Sequence, residues 1–260
     1  MEWSRVKNIL IVLLAMVNCF LFFVYLNTTV GDAKVDEEFV EHTISVLGKS
    51  GIEVESELIP RNSPLLYPVT TTFDDVESFC GKMLSQIGVT EYEAKNLGGS
   101  GTGEWGFECT FKITPPESET AAMQIMTKMA RKGGIEIAPP TAKFEDGRYI
   151  LGAQQKLMGI PLCNGRMVLE IGADGSAKLT GAMVSGEATT VEGARPYDVC
   201  GLLVGAIGSL PQGEITGISR AYHYRLNGDG IYCVPVWQIT MTNMQFFINA
   251  MNGEVMESTY

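Results

Sequence analysis

The chain has 260 residues, 45% of them hydrophobic, and carries 19 basic against 30 acidic side chains for a formal charge of −11. That length supports one large or two small hydrophobic cores, and the acidic balance argues against a nucleic-acid or anionic-lipid surface, while a basic partner is permitted. Two histidines and six cysteines, with no C-x-x-C spacing, argue against a zinc site, so neither metal nor cofactor is expected.

The first element predicted is an apolar run from Ile9 to Leu26, eighteen residues broken by Asn18. At about 1.5 Å per helical residue it nearly crosses a hydrocarbon core of roughly 30 Å, and it is longer than a usual secretory leader. Arg5 and Lys7 precede it while Asp32, Asp36, Glu37 and Glu38 follow, which predicts a cytoplasmic N-terminus and an exported body. The only small-residue cleavage candidate, Gly31-Asp-Ala33, lies well past the run, so a retained anchor over residues 1–27 is expected. Near mid-membrane the Asn18 amide lacks water, and a partner helix would satisfy it. Asn18, with Phe20, Phe22 and Phe23 packed beside it, is therefore the candidate transmembrane interaction site, the alternatives being a self-dimer or a lipid-facing role.

Beyond the anchor, VDEEFVEHTISVLGKSG predicts a helix whose apolar face is Val40, Ile44 and Leu47 and whose end is Gly51. A strand is expected from Ile52 to Ile59, then a linker or edge punctuated by Pro60, Pro64 and Pro68. A second helix should run from Asp74 to Ile87 and stop at Gly88. Gly101-Thr-Gly103-Glu-Trp-Gly106 matches the dinucleotide fingerprint in form, but a strand-like stretch rather than a helix follows, so it is read as a hairpin loop. Thr114-Pro115-Pro116-Glu117 reads as a capping box that opens a helix closed by Gly133-Gly134, with Met123, Met126, Met129 and Ala130 as a core stripe. The loop-like IEIAPPTAKFEDG then marks a boundary, giving extracytoplasmic units 31–145 and 146–260.

The second unit opens with a meander of RYILGAQQKLM, RMVLEI and AKLTGAMV turning at Ala173-Asp-Gly175. A helix from Pro196 to Ile207 follows, then strands EITGISRAYHYRL, IYCVPVWQITM and MQFFINA, with turns at Asn227-Gly228, Asn243 and Asn252-Gly253. Cys80-Gly81 with Ile87-Gly88 recurs at the same spacing as Cys200-Gly201 with Ile207-Gly208, which reads as two related helix-on-sheet units, the alternative being chance in a Gly-rich chain. The expected fold class is α+β, helices packed on antiparallel sheets behind a transmembrane helix. Cys80, Cys109, Cys163, Cys200 and Cys233 follow the anchor, an odd number that cannot all pair; most are read as small buried hydrophobes, with bridges the alternative.

The opening Met-Glu-Trp-Ser-Arg-x-Lys before the anchor, with YCVPVWQITMTNMQFFINAMNGEVME at the far end, resembles the YycI family. QQKLMGIPLCNGRMVLEIGADGSAKLTG and the ending Ile-Asn-Ala-x-Asn-Gly-Glu are similar to PepSY-type and protease-propeptide modules. The first resemblance implies a single-pass regulator of a two-component sensor histidine kinase controlling cell-wall metabolism. It implies partners in the kinase and a companion YycH-like regulator, and no catalytic residues. The second implies a module that binds or inhibits an exported peptidase or recognises wall peptide through a sheet edge. No nucleophile and base are paired by spacing; His42 is read as solvent-facing and His223 as a half-exposed sheet histidine, so no enzyme is expected.

Overall fold

The computed structural model describes residues 13–18, 33–71, 75–97, 106–182, 184, 188–191, 193, 195–227, 230–242 and 244–257. Residues 13–18 are helical. After them come β1 (Ala33–Lys34), α1 (Glu37–Lys49), β2 (Ile52–Val54), a 3-10 turn (Ser56–Leu58), β3 (Asn62–Ser63) and β4 (Val69–Thr71). Next are α2 (Val76–Ser85), β5 (Tyr92–Leu97), β6 (Gly106–Lys112), α3 (Glu119–Lys132) and β7 (Glu136–Ile137). β8 (Thr141–Glu145), β9 (Arg148–Leu157), β10 (Ile160–Gly172), β11 (Ser176–Ala182) and β12 (Thr189–Thr190) follow. The last elements are α4 (Val199–Ala206), β13 (Gly213–Asn227), β14 (Gly230–Met241), β15 (Met244–Asn249) and β16 (Val255–Glu257).

The fold is α+β, two helix-on-sheet modules sharing one long sheet. In the central module α2 and α3 cover strands ordered β5-β6-β11-β10-β9-β8, all antiparallel. Their shared core includes Phe79, Met83, Met126 and Met129 under Phe107 and Leu169. The apolar side of each strand faces the helices because burial alternates along β6, with Phe107, Cys109 and Phe111 inward. In the other module α1 and α4 pack on β2, β13, β14 and β15, around Leu47, Leu203, Trp237 and Ile248.

The partition differs from the expected 31–145 and 146–260. Asp146-Gly147 is the positive-φ turn of the β8–β9 hairpin, inside one core, rather than a boundary between domains. The second module is discontinuous: α1, from the N-terminal side, completes it by packing on α4 from the C-terminal side. The Cys-Gly repeat also changes meaning, since Cys80 lies five residues after the N-cap Asp75 and Cys200 two after the N-cap Asp198. Topology instead pairs α3 with α4, each of which leads into a meander of strands.

The two modules join where β10 bulges between Pro161 and Arg166, leaves β9 and pairs in parallel with β13 at Leu162 and Tyr222. Side-chain amides take the place of the missing ladder. Asn164 Nδ2 donates to the Tyr224 carbonyl at 2.9 Å and its Oδ1 accepts from the Tyr224 N–H at 3.0 Å. Gln155, fully buried, does the same for Ala182 at 2.8 and 3.0 Å. Gln154 Nε2 donates to the carbonyls of Leu162 and Gly165 inside the bulge.

Three local expectations shift. The strand predicted over Ile52 to Ile59 ends at Val54, where a 3-10 turn takes over and delivers Ile59 into the core. Thr114 does not cap α3: residues preceding proline disfavour helical backbone, so the Thr114-Pro115-Pro116 stretch stays non-helical, and Ser118 caps instead by accepting from the Ala121 N–H at 3.2 Å. The tail beyond Gly253 adds β16 to the edge of β15.

Candidate functional site

Of the predicted anchor only residues 13–18 are described, and among the described residues no helix is long and apolar enough to cross a membrane. Phe20, Phe22 and Phe23 lie outside the described residues. Asn18 donates from Nδ2 to the Leu14 carbonyl at 2.9 Å, so a helical neighbour takes one amide proton.

The clearest concave apolar feature lies in the discontinuous module. β14 pairs with β4 as far as Cys233 and with β15 from Val236, leaving 234–235 without a strand on that side. Pro235 occupies the gap, where a residue lacking an N–H is tolerated, and its carbonyl accepts from the Ala250 N–H at 2.9 Å. The proline-punctuated segment 60–68 arches above this gap instead of filling it. Arg220 Nη1 donates to the Pro64 carbonyl at 2.6 Å, and the Tyr222 hydroxyl to the Tyr67 carbonyl at 2.9 Å. Burial pushes the Tyr222 phenol up to about 12, so it remains a donor across the ordinary pH range.

Between arch and sheet lies a narrow cleft of about 30 Å³ lined by Leu65, Leu66, Pro196, Val236 and Trp237. It opens past Val35 onto a shallower groove with Phe39, Leu65 and Tyr197. Tyr197, 60% exposed, and Phe39, 42% exposed, both line this groove and stand in solvent. The polar groups here are structural: Asp198 accepts from the Gly201 N–H at 2.9 Å as the cap of α4, and Arg61 pairs with Glu37 at 3.2 Å on the surface. The cleft itself has room for little more than a water molecule, and the open surface lies in the groove beside it, where Phe39, Leu65 and Tyr197 are within reach of solvent.

The helix-free face of the central sheet forms a second, polar groove with Arg148, Glu170 and Lys178. Its Lys178 pairs with the neighbouring Glu108 at 2.7 Å and its Arg148 with Glu170 at 3.4 Å, while Glu91, Glu93, Lys112 and Asp146 also line it. The hydrogen bond from Lys178 holds the Glu108 carboxyl below its ordinary range. His42 is exposed on α1. His223 is half-buried, its Nδ1 without a hydrogen-bond partner, and desolvation followed by the Arg225 charge lowers it to about 4. Among the described residues no three His, Cys, Asp or Glu side chains gather as metal ligands.

Neither the cleft nor the aromatics at its mouth was read from the sequence. Phe39 was visible as a large apolar residue off the Val40–Ile44–Leu47 stripe of α1, and Tyr197 as an aromatic beside Pro196 in a loop. Their meeting at one mouth follows only from the packing of α1 against α4.

No family model matches the chain, and no curated protein matches it. Among solved structures, the chain is similar to an uncharacterized protein from Eubacterium rectale at 12% identity, covering 84% of this chain and 99% of that one with a TM-score of 0.46. The C-terminal domain of YpeB from Bacillus megaterium is similar at 12% identity over 73% of this chain and 100% of that one, with a TM-score of 0.35.

Proposed function

We propose that the chain is a non-catalytic, membrane-anchored regulator of a two-component sensor histidine kinase controlling cell-wall metabolism, acting through transmembrane and extracytoplasmic contacts. The exposed aromatics Phe39 and Tyr197, which line an open groove beside the apolar cleft, carry this reading, because exposed aromatic side chains on a concave surface are an ordinary means of holding a partner protein. Its position adds to the case. Val35 at the mouth lies nine residues beyond Leu26, so at about 3.6 Å per extended residue the cleft sits within roughly 30 Å of the end of the anchor. That is the height at which the membrane-proximal part of a kinase's extracytoplasmic domain would meet it. The sequence resemblance at both ends to the YycI family supplies the kinase as partner and a companion YycH-like regulator as the third member.

A second reading rests on β5, which among the described residues ends the central sheet with one side unpaired, and on the exposed Leu97. A free edge of this kind accepts an added strand, the mode by which a PepSY-like module would bind an exported peptidase or wall peptide. A photo-cross-linking side chain placed in turn at Tyr197, at Leu97 and at Lys128, in the full chain in its own membrane, separates the two. Capture of a histidine kinase from Tyr197 alone is the expected result. Capture of a peptidase from Leu97 favours the second reading, and equal capture at all three positions refutes both.

A further inference from the structure

The five cysteines beyond the anchor are distributed unevenly. Cys200 lies in the core under α1 and α4, Cys233 in the cluster at the junction of the modules, and Cys163 beside a fourth cluster around Val236. Cys80 and Cys109 share one core, both completely buried. Cys80 projects from α2 and Cys109 from β6, and their side chains are hydrogen-bonded to each other. The same two elements also meet at Phe79 and Phe107, whose rings stand edge to face with centroids 5.1 Å apart, which fixes α2 over β6 next to the thiols. Tyr92 closes the third side, its hydroxyl donating to the Glu77 carbonyl at 3.0 Å and lying 2.6 Å from where a Cβ on Gly81 would stand.

We propose that Cys80 and Cys109 are a redox pair that closes to a disulfide stapling α2 to β6. The odd cysteine count then resolves into one bridge and three unbridged thiols, in place of small hydrophobes throughout. Closing the bond removes two protons and two electrons from the two thiols, and the oxidant is a disulfide. Oxidised glutathione serves in vitro and a thiol–disulfide oxidoreductase of the exported space serves in cells. A thiolate of the pair attacks the oxidant to give a mixed disulfide, and the second sulfur displaces the reduced oxidant as a thiol. Both sulfurs are buried once folding is complete, so exchange runs before α2 docks or while it opens locally. Their pairing follows from the geometry, whereas the presence of the bond in cells rests on the exported placement of the body.

The test has two arms. In the first, the full chain in detergent is refolded from the reduced state in a buffer of reduced and oxidised glutathione, quenched with acid, alkylated after denaturation and mapped by peptide mass. Expected is a Cys80–Cys109 linked peptide with Cys163, Cys200 and Cys233 alkylated, and a melting temperature roughly 5–10 °C above that of the reduced chain for a loop of this length. Loss of that shift in Cys80→Ala, measured under both conditions, ties it to this bond. Absence of the linked peptide, or linkage spread evenly over other cysteines, overturns the proposal. In the second arm the chain is quenched directly from its own membranes. The linked peptide there supports the bond in cells, whereas a linked peptide in vitro with a reduced pair in cells retains the pair and overturns the exported placement.

Discussion

Asn164→Leu is the sharpest perturbation of the junction between the modules. The backbone ladder between β10 and β13 has one paired position, Leu162 with Tyr222, and the Asn164 amide extends it by bonding both the N–H and the carbonyl of Tyr224. Leucine keeps the branched shape with a larger, apolar end and removes both bonds. Each bond is worth about 0.5–1.5 kcal/mol net, and an orphaned buried group costs about 1–3 kcal/mol. Because Asn164 is only half-buried and water reaches part of the site, a total near 2–3 kcal/mol is expected. At 1.4 kcal/mol per decade, hydrogen-exchange protection of the Tyr224 amide should fall roughly 30- to 140-fold if it exchanges by opening of this junction. The assay is exchange of the peptide spanning β13, with a peptide from α3 as control because α3 packs only in the central module. Asn164→Asp retains an acceptor for the N–H but sets a carboxylate beside the Tyr224 carbonyl, so its loss should be no smaller than half that of leucine. Unchanged exchange at Tyr224 in a folded Asn164→Leu protein refutes the view that this side chain substitutes for a ladder.

Ser118→Ala should cost about 1 kcal/mol in urea unfolding and Thr114→Ala close to nothing, whereas a Thr114 cap would reverse the order. Gly175→Ala should destabilise by about 1–3 kcal/mol in the same assay, since φ is +80° and a Cβ would meet the Ile113 carbonyl oxygen at 2.4 Å; a neutral result contradicts that contact. His223 is lowered to about 4 in the folded protein against about 6.5 unfolded, so the unfolded chain takes up the proton first and stability falls with pH from about 6.5 to 4. With partial exposure allowed for, the loss is about 1–3 kcal/mol, and melting temperatures at pH 7 and pH 5 should converge in His223→Phe; an equal drop in parent and variant removes His223 as the cause.

The parts of this fold legible in the sequence are those governed by local periodicity. α1 and α3 follow from apolar residues at helical spacing, and α2 and α4 stop near glycines because a left-handed or unpropped terminus ends them cheaply. The β13–β14–β15 meander follows from alternation and its turns. What could not be read is set by contacts distant in the chain. The partnership of α1 with α4 joins residues more than 150 positions apart, and no period in either helix encodes it. The domain boundary was misplaced for the same reason: Pro139-Pro140 and Asp146-Gly147 carry the turn chemistry of a linker, and the same chemistry makes a hairpin inside a core.

The candidate site is illegible for a further physical reason. A catalytic centre draws unlike chemical groups together and leaves unusual residue types in its sequence, but a docking cleft is made of the residues that also build cores. Val236 and Trp237 are themselves buried core residues and Leu65 is half-buried, so the concavity between them comes from the gap at Pro235 and the arch over it rather than from any unusual residue type. Proline produces both halves of that arrangement, since it donates no ladder bond in the sheet and keeps segment 60–68 from joining as a strand. The three prolines of the arch and the one beneath it were therefore the nearest thing to a sequence signal for the cleft. Reading them as punctuation alone captured the breaks in structure and missed the concavity that the breaks create.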